Sequence, residues 1–323
     1  MYHLLYLAIM QERYYDEVIC SIQSFFKVAS KEIISNTKIL VHTDNRDYFV
    51  NRLKLTSTNV LYKTIEAMDF ENYDIYLLKI KIIKSFKKCH NEPCLLLDSD
   101  TFFLTCPKVL FHSIEKKNAV VMCLRENTIE EKIGYILQEK FSDISQTENN
   151  HKAFYSDIKA GKTFQSRTNQ YVFDKDAVLW NSGVIGLGAN IPTAIFVEIE
   201  ELASMLYNTY HYRVSEQFAL SYLLGRKYKI LSADSIVFHY WFSKNAMQIL
   251  WNYFYEDKKY GEQDLIVNTP YDQLYLVLLT QFYKQTDRSI VNDILLDHPK
   301  DSLVYKSLNR LLQEVCTLYV GEE

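Results

Sequence analysis

Apolar residues in the first 125 positions fall into two alternating periods. Short runs that are apolar throughout, or at every second residue, predict strands at 4–10, 38–42, 59–62, 94–97 and 119–124. Helical spacing separates them. Residues 16–28 carry Val18, Ile19, Ile22, Phe25 and Phe26 on one stripe, and 76–88 also predicts a helix. The second strand runs into the turn signal Thr43-Asp44-Asn45, Pro93 restarts the chain before the fourth, and 108–113 predicts a helical turn. Strands alternating with helices predict an α/β domain with a mainly parallel sheet. Ligands of such sheets bind beyond the carboxyl ends of the strands.

Residues 126–175 are polar and weakly periodic, and fifty residues are too many for a simple loop. A helix is expected at 129–141, with part of the remainder expected to form a mobile flap. The character changes after Trp241, where 246–255, 271–283 and 302–319 all predict helices. The expected organisation is an α/β domain over 1–245 followed by a helical region over 246–323 that packs on it. There is no internal repeat or low-complexity segment.

Composition narrows the possible partners. Lys plus Arg is 36 and Asp plus Glu is 40 in 323 residues, and a formal net charge of −4 gives no global attraction to nucleic acid or an acidic membrane. Only 8 Gly and 5 Pro argue against disordered tails and flexible linkers. No apolar run approaches the roughly 18 residues of a membrane helix. The first residues, MYHLLYLAIMQERYY, lack the basic start and small-residue cleavage site of a signal peptide. Six cysteines at irregular spacing, with no CxxC pair, predict reduced thiols and a cytoplasmic location. The 14% of aromatic residues supply a Tyr-rich core and surface, or a ring-lined groove for a sugar or base.

Four segments carry candidate chemistry. In Leu95-Leu96-Leu97-Asp98-Ser99-Asp100 an apolar strand stops at two carboxylates separated by one residue. Side chains two apart on an extended chain point the same way, so Asp98 and Asp100 are expected to converge. Paired carboxylates repel unless a cation lies between them, and hard oxygen ligands suit Mg²⁺ or Mn²⁺. In 180–188 three of the eight glycines fall within six residues, beside Asn181 and Ser182. That concentration predicts backbone that approaches a ligand closely or turns sharply. Ser215 is expected to N-cap a helix, with Glu216 and Gln217 in its first turn. His239 follows an apolar strand over 235–238 and is a candidate ligand through its ring.

Together LLLDSDTFF, WNSGVIGL, SEQFALSYLL and VFHYW, in that order, resemble nucleotide-sugar glycosyltransferases of the GT-A fold, most nearly glycosyltransferase family 8 and its relatives. The resemblance spans roughly residues 3–243 and implies a Rossmann-like nucleotide-diphospho-sugar transferase with a C-terminal helical appendage. It implies that Asp98, Asp100 and His239 bind a divalent metal (Mn²⁺ or Mg²⁺), with Asp98, Ser99 and Asp100 at the donor diphosphate. Asn181, Ser182 and Gly183 match the donor-sugar motif. Glu216 and Gln217 match an Asp-Gln pair at the reacting sugar, so that Asn181, Glu216 and Gln217 are the expected catalytic residues. Asp44 and the loop 9–13 would hold base and ribose, and Lys81 matches a basic position facing the donor. The implied partners are a nucleotide-sugar donor, in particular a UDP-sugar, and an unknown acceptor that is a glycan, lipid or protein. Segment 126–175 and the C-terminal helices are the expected acceptor-binding parts. Two other readings stay open on sequence: a haloacid dehalogenase-type phosphatase, whose first motif is also a strand ending in DxD, and a non-catalytic binding protein with a degenerate transferase domain.

Overall fold

The structure is a computed structural model. It describes residues 1–53, 59–65, 75–116, 119–126, 128–138 and 146–241. The chain divides into two compact units, Met1–His239 and Tyr240–Glu323. The helices expected at 246–255, 271–283 and 302–319 lie outside the described residues.

The first unit begins with β1 (Tyr2–Ala8), α1 (Glu12–Val28), α2 (Lys31–Ser35), β2 (Thr37–Thr43), α3 (Arg46–Leu53) and β3 (Val60–Thr64). It continues with α4 (Ile75–Cys89), β4 (Cys94–Leu97), β5 (Thr101–Phe103), α5 (Lys108–Lys116) and β6 (Val120–Glu126). The polar middle segment forms α6 (Ile129–Gln138), α7 (Gln146–Lys159), β7 (Phe164–Gln165) and β8 (Gln170–Tyr171). Then come β9 (Leu179–Leu187), α8 (Ala194–Tyr210), α9 (Ser215–Lys227), β10 (Ile230–Ser232) and β11 (Val237–His239). The main sheet has seven strands in the order β10-β6-β9-β4-β1-β2-β3. β9 alone runs antiparallel to its neighbours, β4 and β6. This is the predicted α/β class, with a mostly parallel sheet.

The central strands are buried on both faces, and their apolar residues divide by parity. Leu4, Tyr6, Ala8, Leu95 and Leu97 pack toward α1, α3 and α5. Leu5, Cys94 and Leu96 pack toward α4, α8 and α9. The sheet is therefore the middle of three layers, and each fully buried Leu contributes about 1.5–3 kcal/mol. Gly186 on β9 is required by one of these packings: a Cβ there would lie 2.7 Å from the Ile114 Cδ1 atom of α5.

The described part of 126–175 is tied into the core. Phe154 of α7 is fully buried, with ring contacts to Phe164, Phe173, Tyr210, Tyr212 and Phe218. These rings lie far apart in sequence and share no period, so beyond the helix expected at 129–141 the pattern of the segment does not show this packing. Among the described residues no helix is long and apolar enough to cross a membrane. Cys20, Cys89, Cys94, Cys106 and Cys123 are free thiols.

Candidate functional site

Parallel pairing gathers separate strand ends at one edge. β1, β2 and β4 run in the same direction, with Ala8 opposite Thr43 and Tyr6 opposite Leu97. The loop after β1, Asp44 after β2 and Asp98 after β4 therefore share the carboxyl edge. β9 runs the other way, so it is the beginning of β9, with Asn181, Ser182 and Gly183, that reaches this edge. Val184 pairs with Leu97, and the Asp98 amide donates to the Gly183 carbonyl oxygen at 2.8 Å.

Asp98 and Asp100 converge by a turn and not by strand alternation. Ser99 and Asp100 form a turn between β4 and β5, closed by Thr101 Oγ1 donating to the Asp98 carbonyl oxygen at 2.7 Å. β5 then pairs antiparallel with β11, setting His239 opposite Thr101. His239 Nε2 lies 3.2 Å from Asp100 Oδ1 and 3.9 Å from Asp98 Oδ2. Asp100 and His239 are buried, whereas the Asp98 side chain is 22% exposed.

This trio fits a divalent cation. One ligand atom from each of Asp98, Asp100 and His239 lies within 4.8 Å of the others. Bonds of about 2.1 Å hold donors up to about 4.2 Å apart, so small side-chain rotations close the set. Two carboxylates and an imidazole are a donor set suited to Mn²⁺ and Mg²⁺. His239 turns Nε2 toward Asp100, in the direction that a metal would take. The other nitrogen, Nδ1, is buried without a partner.

The deep side of the site holds a buried ammonium. Lys79 of α4 lies 2.7 Å from the Asp98 carboxylate and is itself buried. Burial works against its charge, but Asp98, Glu216 and Asp100 outweigh burial and raise its pKa. Glu216 is pushed up, chiefly by burial, with Lys79 and the Ser182 hydroxyl partly offsetting it.

A register shift in β9 aims its residues here. β6 pairs Met122 with Ile185 and the next residue, Cys123, with Asn181, so 182–184 bulge from the ladder. Asn181 Oδ1 accepts the Gly183 amide at 2.8 Å. Ser182 donates its hydroxyl to Glu216 Oε1 at 3.0 Å and its amide to Gln217 Oε1 at 3.2 Å. Glu216 Oε2 is buried and unpartnered.

The other end of the edge is stitched by Asp44. Its carboxylate accepts the Met10 amide at 2.9 Å and the Tyr15 hydroxyl at 2.7 Å. Met10 is held at φ 75°, a left-handed conformation that side chains seldom adopt. That reversal ends β1 at Ala8, two residues before the expected end.

Asp98, Asp100, His239, Asn181, Ser182, Gly183, Glu216 and Gln217 are thus brought together, with Ser99 in the connecting turn. The structure adds further detail to the sequence reading. Ser215 is not the cap: Val214 holds the cap position, the Phe218 amide donates to its carbonyl oxygen, and the Ser215 hydroxyl is buried and unpartnered. The lysine on Asp98 is Lys79, while Lys81 is half-buried two residues on, about 200° round the helix. The glycines of β9 serve side-chain packing: Gly183 lies against the His239 ring, and Gly186 against α5. The missed lysine had a sequence signal. Lys79 falls on the stripe of Ile82, Ile83 and Phe86, at i+3, i+4 and i+7, where a charge needs a partner.

No family model matches the sequence, and no curated protein matches it. Among solved structures the fold is similar to the apo form of mouse xyloside xylosyltransferase 1, with a TM-score of 0.44 and 14% identity, over 72% of this chain and 85% of that one. It is also similar to the apo bifunctional glycosyltransferase WbbM, with a TM-score of 0.44 and 12% identity, over 71% of this chain. The match spans 38% of the WbbM chain, well under half its length.

Proposed function

We propose that the chain is a metal-dependent glycosyltransferase that moves a sugar from a nucleotide diphosphate sugar, in particular a UDP-sugar, to an acceptor. The observation that carries this reading is the convergence of Asp98, Asp100 and His239 at the carboxyl edge of an α/β sheet. A divalent ion held there neutralises a diphosphate leaving group when bound. Lys79 contributes a second positive charge from the sheet side, fixed by burial, so it needs no reorganisation as the leaving group gains charge. Glu216 supports the sugar end: its free oxygen is an acceptor for a sugar hydroxyl, and its negative charge favours an oxocarbenium-like centre. Asn181, Ser182 and Gln217 hold the sugar in register with it. Asp44 and the loop after β1 take the nucleoside, and the shape of that loop is set by the Asp44 hydrogen bonds.

The test is incubation of the full chain with a panel of nucleotide sugars and Mn²⁺, reading free nucleoside diphosphate. One donor is expected to be consumed, slowly without acceptor, and EDTA is expected to stop it. Asp100→Asn is expected to lose that activity and keep the fold. Turnover that survives EDTA or Asp100→Asn rejects the reading. So does release of inorganic phosphate without use of a sugar nucleotide.

A further inference from the structure

We infer that Glu17 is a positioning residue for the metal-binding carboxylates and acts through Ser99; this rests on the metal reading of Asp98, Asp100 and His239. Glu17 lies on α1, outside every motif that the sequence singles out, and it is buried. Its Oε2 accepts the Ser99 hydroxyl at 2.6 Å, and its Oε1 lies 3.2 Å from Arg13 Nε. The two oxygens of one carboxylate are thus tied, one to the guanidinium and one to the turn, and hydrogen bonds to charged groups are short and strong.

The location gives this bond its consequence. Ser99 is the residue between Asp98 and Asp100, in a turn that lacks the ladder hydrogen bonds of the strands on either side. One face of α1 supplies what the ladder does not. Ser21 shares a hydrogen bond with Thr101 at 3.2 Å, and Ser24 accepts the Phe103 amide at 2.9 Å. Positions 17, 21 and 24 are four and three apart, so they form one stripe. They grip residues 99, 101 and 103 from one side. Held by that grip, Asp98 and Asp100 are turned toward Lys79 and His239. Ser21 and Ser24 grip β5, which β11 also holds, whereas Glu17 grips the turn itself. Loss of the Glu17–Ser99 bond frees the rotation that sets the two carboxylates against His239.

The experiment is Mn²⁺ titration of the full chain without nucleotide, followed by electron paramagnetic resonance, with metal-free melting measured alongside. Ser99→Ala removes the hydroxyl and leaves Glu17 paired with Arg13. It is expected to weaken Mn²⁺ binding about tenfold, the scale of lost outer-sphere support at metal sites. Ser99→Thr and Glu17→Gln keep a donor and an acceptor, and are expected to stay within about threefold of the unaltered chain. Glu17→Ala is expected to match Ser99→Ala, and the double variant to add little, as for two residues in one path. Wild-type Mn²⁺ affinity in Ser99→Ala overturns the inference, whatever happens to melting. Equal loss in Ser99→Ala, Ser99→Thr and Glu17→Gln also overturns it. If the unaltered chain binds no Mn²⁺, the metal reading itself fails, and the inference with it.

Discussion

Replacing Gly183 with Ala tests the site through one contact. A Cβ on Gly183 would lie 2.0 Å from His239 Cε1, 2.3 Å from Nδ1 and 2.4 Å from Nε2. Ordinary carbon contacts lie at about 3.5–4.0 Å, so the ring must withdraw by about 1.5 Å. Metal and catalytic groups tolerate about 0.5 Å of displacement. The 3.2 Å approach of Nε2 to Asp100 therefore cannot survive the substitution. Overpacking of this kind costs about 1–3 kcal/mol, and about 2–4 °C of Tm per kcal/mol for a domain of this size. The three nearest atoms all belong to the His239 ring, so most of the cost is expected to vanish in a His239→Ala background. Unfolding of the four proteins of that cycle in EDTA measures the coupling, expected at about 1–3 kcal/mol. Mn²⁺ affinity is expected to drop in Gly183→Ala as in His239→Ala. An equal penalty in both backgrounds, or wild-type Mn²⁺ binding by Gly183→Ala, refutes the argument.

Three further substitutions probe the charges. Lys79→Met leaves Asp98 without its ammonium and is expected to destabilise the metal-free protein by about 1–3 kcal/mol, less than for a fully buried pair because Asp98 is partly exposed. Mn²⁺ supplies the missing charge, so it should raise the melting temperature more in the variant than in the unaltered chain; equal rises contradict this. Glu216→Gln keeps the hydrogen bond from Ser182 and removes a carboxylate whose pKa burial raises. A raised carboxyl contributes stability that is complete below its unfolded pKa and lost as pH rises through its folded value, so near neutral pH the amide is expected to gain about 0.5–2 kcal/mol while nucleoside diphosphate release falls. A Glu216→Gln protein with unchanged turnover removes that residue from the mechanism. His42, buried on β2 with Nδ1 donating to the Tyr6 carbonyl oxygen, has its pKa pushed down to about 4 by burial. Its contribution is complete above the unfolded value near 6.5 and lost as pH falls toward 4, about 3 kcal/mol in all. Urea unfolding at pH 7 and 4.5 is expected to show a shallower pH dependence in His42→Asn, and equal slopes refute it.

The alternation of apolar runs with helical stripes was enough to reach the α/β class. Burial on both faces of a parallel sheet and on one stripe of each helix leaves a mark in local composition. Asp98, Asp100, Asn181, Ser182 and His239 stand out in the sequence for a related reason: each interrupts or ends an apolar run, where a polar residue is conspicuous, whereas Glu216 stands out only as the start of a helix. Lys79 and Glu17 left weaker marks. Lys79 lies on the apolar stripe of its helix, which marks it as buried but does not name its partner Asp98, and Glu17 sits among other charges with only its bond to Ser99 to distinguish it from a solvated residue. The role of Gly183 had no local mark either, because the His239 ring that fills its missing side chain comes from a strand 56 residues later. The aromatic cluster around Phe154 likewise draws on residues from 154 to 218 without a period. Local periodicity reports which face of an element is buried. What lies against that face depends on strand order, on the reversal of β9 and on the turn at Ser99, and those are decided only when the whole sheet assembles.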